Sequence, residues 1–222
     1  LAIVIRANGE GDRLMLRIDH VVYGVRDLDA AAERLWMDHG LGSAAGGRHP
    51  GQGTANRIVP LGDSYVELMA VVEPAETLES VFGKWVEVAV AGGDRLIGWV
   101  LSTDDLDGVA SRLDLPVTTG SRARPDGVTL SWEMAGIEKT MADPSLPYFI
   151  AWDMAPELHP GRMEVQHRVR PQGISWIEVT APRVKLDDWL GGEEVPVRIE
   201  EHGTPALRSV GIATDEGDIV LR

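Results

Sequence analysis

Ile18-Asp19-His20-Val21-Val22 decides the reading of this chain, because its pattern returns as Ile97-Gly98-Trp99-Val100-Leu101 and again as Ile174-Ser175-Trp176-Ile177-Glu178. The second copy begins 79 residues after the first, and the third begins 77 residues after the second. Each copy reads as a short, half-buried strand. A period of this kind implies that one supersecondary unit has been used repeatedly.

The stretch after each strand repeats as well. Asp27-Leu28-Asp29 leads into a stripe of Leu28, Ala31, Ala32 and Leu35, and Asp105-Leu106-Asp107 leads into Leu106, Val109, Ala110 and Leu113. Both stripes have the spacing that places apolar residues on one helix face. Asp27 and Asp105 suit the N-cap, where a carboxylate accepts the free N–H groups of the first turn. The third copy offers Leu186, Trp189 and Leu190 in a shorter helix ending near Gly191-Gly192. Three strands come after each helix: 42–48, 56–61 and 65–72 in the first unit, 116–119, 128–134 and 147–152 in the second, 195–199, 206–213 and 219–221 in the third. Gly62-Asp63 marks a tight turn.

The expected organisation is an appendage or strand over 1–14, a first unit over 15–74, a connecting helix within 75–94, a second unit over 95–153, a linker over 154–172 and a partial third unit over 173–222. Met15 opens the stronger pattern and is a candidate natural start. The alternative is an ordinary α+β domain without internal symmetry.

Composition bounds the function. The chain has 222 residues, 44% hydrophobic and 25% charged, enough for a sizeable core. A formal net charge of −14 disfavours nucleic acid and anionic membranes as partners. The absence of cysteine excludes disulfides, thiolate metal sites and a cysteine nucleophile. Leu1 to Ile5 is too short for a signal-peptide core or a membrane span, so a cytoplasmic location is expected. No nucleotide or flavin is expected. The glycine-rich segment near His49 lacks the spacing and trailing Lys of a phosphate-binding loop. The expected partners are a small-molecule ligand and, as an open option, a second copy of the chain.

The repeated strand-helix-three-strand unit, with the words from Ile18 to Asp29, Gly46 to Asn56 and Tyr65-Val66-Glu67-Leu68, resembles the glyoxalase-like branch of the vicinal-oxygen-chelate superfamily. The resemblance implies an α+β fold of paired βαβββ units whose curved mixed sheets enclose a cavity, here with a partial third unit. It also implies one divalent metal held by His20 on the first strand and Glu67 on the last strand of the unit. The second unit departs from the pattern. Gly98 or Trp99 stands where His20 would recur, and 147–152 carries no ligand.

Strand alternation speaks independently for the pair. Ile18, His20, Val22 and Gly24 share one face, and Tyr65, Glu67, Met69 and Val71 share another. A carboxylate within so apolar a strand needs compensation, and His20 supplies it directly or through a metal. The plainer alternatives are a core imidazole for His20 and an arginine-paired Glu67, with Arg17 or Arg57 as partner. His49, Thr54 and Asn56 sit around a glycine-rich loop that either lines a ligand site or merely turns the chain. Tyr65 and Trp99 are further candidates for contacting substrate. His167 is the candidate third metal ligand, or else a linker histidine. His39, His159 and His202 are expected to be solvated.

Three readings of the function remain. One is an enzyme of lyase, isomerase or dioxygenase type, in which a metal holds two oxygens of a small metabolite and Glu67 moves a proton. Another is a metal-free binding or antibiotic-sequestering protein, in which tryptophans and His49 hold the ligand. A decayed enzyme kept as an interaction module is a third.

Overall fold

A computed structural model describes residues 16–124 and 126–222. The expected appendage over 1–14 and the candidate start Met15 lie outside the described residues. The first unit runs β1 (Arg17–Gly24), α1 (Leu28–His39), β2 (Ala44–His49), β3 (Thr54–Pro60) and β4 (Tyr65–Val71). Two helices, α2 (Pro74–Thr77) and α3 (Val81–Val90), lead to the second unit. That unit is β5 (Arg95–Ser102), α4 (Leu106–Leu113), β6 (Val117–Ala123), β7 (Thr129–Ala135), α5 (Ile137–Ala142) and β8 (Tyr148–Trp152). A linker with two 3₁₀ turns precedes β9 (Pro171–Thr180), α6 (Arg183–Leu190), β10 (Val197–Glu200), β11 (Ala206–Thr214) and β12 (Ile219–Leu221).

The helices begin where their caps dictate. Asp27 accepts the N–H groups of Asp29 and Ala30 at 2.9 and 2.8 Å, and Asp105 accepts that of Gly108 at 2.8 Å. The connecting helix expected within 75–94 is two helices, because the Ser80 hydroxyl accepts the Gly83 N–H at 2.8 Å and so starts α3 afresh. The short helix α5, between β7 and β8, had no counterpart in the expected pattern.

The first two units form one eight-stranded sheet in the order β2-β3-β4-β1-β5-β8-β7-β6. Within each unit the first and last strands are parallel, and the antiparallel pair β1–β5 joins the halves. Val21, Val25, Val66 and Leu68 face outward with Ala31 and Leu35 of α1 in the main core. Val22, Met69, Val100 and Ile150 face inward, where Val86 and Val90 of α3 cover part of the concave surface. The third unit keeps the order strand, helix, three strands, but its sheet runs β10-β9-β11-β12, with the post-helix strand beside β9 rather than at the far edge. Ile177, Val179, Val210 and Ile212 of this sheet join the same outer core. Among the described residues no helix is long and apolar enough to cross a membrane.

The curved sheet nearly closes on itself where β2 meets β6. Gly46-Gly47 permits this approach. A Cβ on Gly47 would stand 2.5 Å from the Ala123 carbonyl oxygen, and one on Gly46 would stand 2.0 Å from Asn56 Oδ1. The backbone contact cannot be relieved by rotating a side chain. Gly47→Ala should therefore cost about 1–3 kcal/mol as an overpacking change. It should appear as a lower urea midpoint with an unchanged slope.

Candidate functional site

The inner face of the sheet encloses a cavity of about 560 Å³. His20 from β1 and Tyr65, Glu67 and Met69 from β4 contribute one wall. Arg122 from β6, Met134 and Trp132 from β7, and Tyr148, Ile150 and Trp152 from β8 contribute the other. The segment from His49 to Gln52 and the start of α3 at Ser80 to Phe82 border it.

His20 is the centre. It is 2% exposed, and Tyr65 stacks on its ring at 4.4 Å between centroids. Its Nδ1 lies 2.6 Å from Asp19 Oδ1. Neighbours along a regular strand point to opposite faces, so this contact needs an irregularity. The β1–β5 register supplies one. Ile18 is opposite Leu101 and His20 is opposite Val100, leaving Asp19 as the extra residue of a β-bulge. The bulge brings Asp19 to the side of His20.

Asp19 is itself 2% exposed and accepts two further bonds, from Trp152 Nε1 at 2.9 Å and His159 Nε2 at 3.1 Å. Burial pushes its pKa up, but the hydrogen bonds and charges of His159 and His20 outweigh this and hold it well below the usual carboxylate range. A carboxylate only accepts, so it fixes a proton on His20 Nδ1 and leaves Nε2 as the working nitrogen. That nitrogen faces Tyr148 Oη at 3.3 Å and Glu67 Oε2 at 3.7 Å. Burial, followed by the charges of Glu67 and Asp19, raises the Tyr148 pKa well above its ordinary value. Its phenol therefore stays protonated and donates.

Asn56 holds Glu67. Its Nδ2 donates to Glu67 Oε1, and its Oδ1 accepts from Arg122 Nη1 at 3.1 Å. Thr54 is likewise a brace, with its hydroxyl 3.0 Å from His49 Nδ1. Burial lowers the His49 pKa, keeping that imidazole neutral. Of the sequence candidates, then, His20, Glu67, His49 and Tyr65 line one cavity, while Thr54 and Asn56 stand behind two of them.

Two candidates lie elsewhere. Trp99 points to the outer face, fully buried in the main core, and its Nε1 donates to the Ser145 carbonyl at 3.2 Å. Strand parity is the reason, since inward-facing Val100 comes immediately after it. His167 is fixed at the start of β2, where its Nδ1 accepts the Gly42 N–H at 3.1 Å, so it does not complete a ligand set with His20 and Glu67. Arg57 turns to Ser43 and Asp29 instead of Glu67. His159, expected to be solvated, instead sits on Asp19. Asp19, His159, Arg122 and Tyr148 were all missed. A charged Asp19 at an otherwise core-facing strand position was the one available signal.

Register also settles which residues replace the second ligand pair. β1 and β5 have equal lengths and mirrored bulges, at Asp19 and Ile97, so Gly98 corresponds to His20. Val22 is opposite Glu67 and the corresponding Val100 is opposite Tyr148, so Tyr148 corresponds to Glu67. Trp85 of α3 lies over Gly98, 3.6 Å from where a Cβ would stand. Among the described residues no three His, Asp or Glu side chains converge as metal ligands. His20 and Glu67 alone do not fit a zinc ion, which generally takes three or more protein ligands.

A family model described as a glyoxalase-like domain matches residues 18–190. A hypothetical protein from Staphylococcus aureus has a similar structure, with a TM-score of 0.68 and 16% identity, covering 88% of this chain and 90% of its own. Methylmalonyl-CoA epimerase from Mycobacterium tuberculosis aligns with a TM-score of 0.44 and 20% identity, over 64% of this chain and 90% of its own. The Streptomyces coelicolor epimerase aligns with a TM-score of 0.45 and 20% identity, over 62% and 98%. Identities at this level speak to fold alone. No curated protein matches the chain.

The Asp19 cluster has a pH signature. A carboxyl whose pKa falls on folding contributes stability that is present above its unfolded value of about 3.9 and is lost as pH drops towards the folded value. Asp19→Asn should cost roughly 3 kcal/mol near neutrality, as loss of one member of a buried charged cluster. Its deficit against wild type, read by urea unfolding, should shrink steadily below about pH 4.

Proposed function

The chain belongs to the glyoxalase-like domain family of the vicinal-oxygen-chelate superfamily, and from that premise we propose that its cavity binds a small carbonyl compound and that His20 moves a proton at the carbon beside the carbonyl. The observation that carries this reading is the buried Asp19–His20 pair, which presents Nε2 to the cavity at 3.3 Å from a protonated phenol. The pair has the parts of a general base with its orienting carboxylate. Nε2 removes the proton. The Tyr148 hydroxyl, released from Nε2, turns its hydrogen bond to the oxygen on which charge develops. Glu67, held by Asn56 with its Oε2 3.7 Å from Nε2, stabilises the imidazolium that forms, and the same Nε2 returns the proton to the carbon. The burial of His20, Glu67 and Tyr148 strengthens each of these interactions. No step passes through a metal.

Deuterium exchange tests this without knowledge of the natural product. The protein is incubated in heavy water with 2-oxo acids, 2-hydroxy ketones and acyl thioesters, and carbon-bound deuterium is read by mass spectrometry. Wild type should exchange one class, and dialysis against a chelator should not stop it. His20→Gln should lower the rate by about 10²-fold or more, the usual scale of a lost general base. His159→Gln should lower it less and shift its pH profile, because His159 acts only through Asp19. Ligand binding without any exchange would leave the metal-free binding protein as the better account.

A further inference from the structure

Arg122 is the only arginine or lysine among the residues lining the cavity. It is 4% exposed, and the single hydrogen bond of its guanidinium among the described residues goes to the neutral amide of Asn56. No described carboxylate pairs with it. Burying a guanidinium without a counter-charge is costly, and such groups are ordinarily paired. Glu67 does not fill that role, because Asn56 stands between the two and bonds both. The positive charge nonetheless reaches the site, opposing the rise of the Tyr65 pKa and adding to the fall of that of His49.

Resting on the cavity being the ligand site, we infer that its ligand carries a carboxylate, which Arg122 binds as its missing counter-ion. The remaining guanidinium N–H groups suit that oxyanion, since Arg presents a planar fork matching a carboxylate. Apolar walls from Met69, Phe82, Trp132, Met134 and Trp152 suit an aryl or alkyl body on the same molecule. The substrate class is thus a monocarboxylate with an apolar body, anchored on β6 and reaching across to His20. Glu67, Glu79 and Glu138 also line the cavity and would otherwise repel such an anion, so the buried cation is what makes the cavity selective.

The test compares benzoate, phenylacetate and 3-phenylpropionate with their neutral primary amides, using quenching of tryptophan fluorescence in the full chain. Wild type should bind at least one acid about tenfold or more tightly than its amide, the scale of one charge-assisted bond. Arg122→Gln should erase that preference, because it lowers the acid's affinity far more than the amide's. Arg122→Lys should keep part of it. A purely structural brace would weaken acid and amide together, which would overturn the inference. Equal binding of acid and amide by wild type would also overturn it, without needing any variant to fold. Binding of neither by wild type would overturn the cavity reading beneath it as well.

Discussion

The Asp19 carboxylate is buried beneath the cavity floor, and the inner face is organised by the need to satisfy it. A carboxylate removed from water requires donors on both oxygens. Three arrive from separate parts of the chain: His20 from the same strand, Trp152 from the end of β8, and His159 from the linker. Each bond constrains the element that bears it. The imidazole of His20 is held in one tautomer, the last residue of β8 is drawn over β1, and the linker is kept against the sheet. The bulge at Asp19 makes this possible, because an unbroken alternation would have sent the carboxylate into the outer apolar core.

The two halves of the sheet show how one architecture supports two different surfaces. Their bulges coincide, but the bulged residue is Asp19 in one half and Ile97 in the other. Ile97 joins Val86 and Val90 of α3 in an apolar cluster. The second half therefore uses the same backbone irregularity for packing, and Trp85 covers the glycine that replaces His20. The acid–base pair His20 and Glu67 comes from the first half, and Tyr148 and Arg122 reach across to it from the second.

The repeat, the helix caps and most strand limits were legible in the sequence, because they arise from local periodicity. Asp27 and Asp105 are caps by their position alone, and the strand over 219–221 falls where the pattern put it. His20 and Glu67 were legible through parity. Asp19 was not, because a bulge depends on the register with a strand about 80 residues away. Trp99 was misplaced for a related reason, since residue type suggested an aromatic wall while alternation sent it outward. Arg122 carries no local signal. Only the closure of β6 against β2 brings it beside Asn56, and that closure is a property of the whole sheet.

The linker shows how a segment without regular structure can still be fixed in place. Gly161 rests on the turn after β3, with its carbonyl accepting the Gly62 N–H at 2.8 Å. A Cβ there would stand 2.5 Å from the Ser64 carbonyl oxygen, so only glycine allows this docking. Arg162 pairs with Asp63 of the same turn, and Ser64 Oγ accepts the Ile174 N–H at 2.9 Å from the third unit. His159 adds its own anchor, since its Nδ1 accepts the Gly161 N–H while Nε2 holds Asp19. The turn at Gly62-Asp63 therefore does more than reverse the chain. It joins the third unit's entry to the strand that begins with Tyr65, and so couples the seating of that unit to the carboxylate that orients His20.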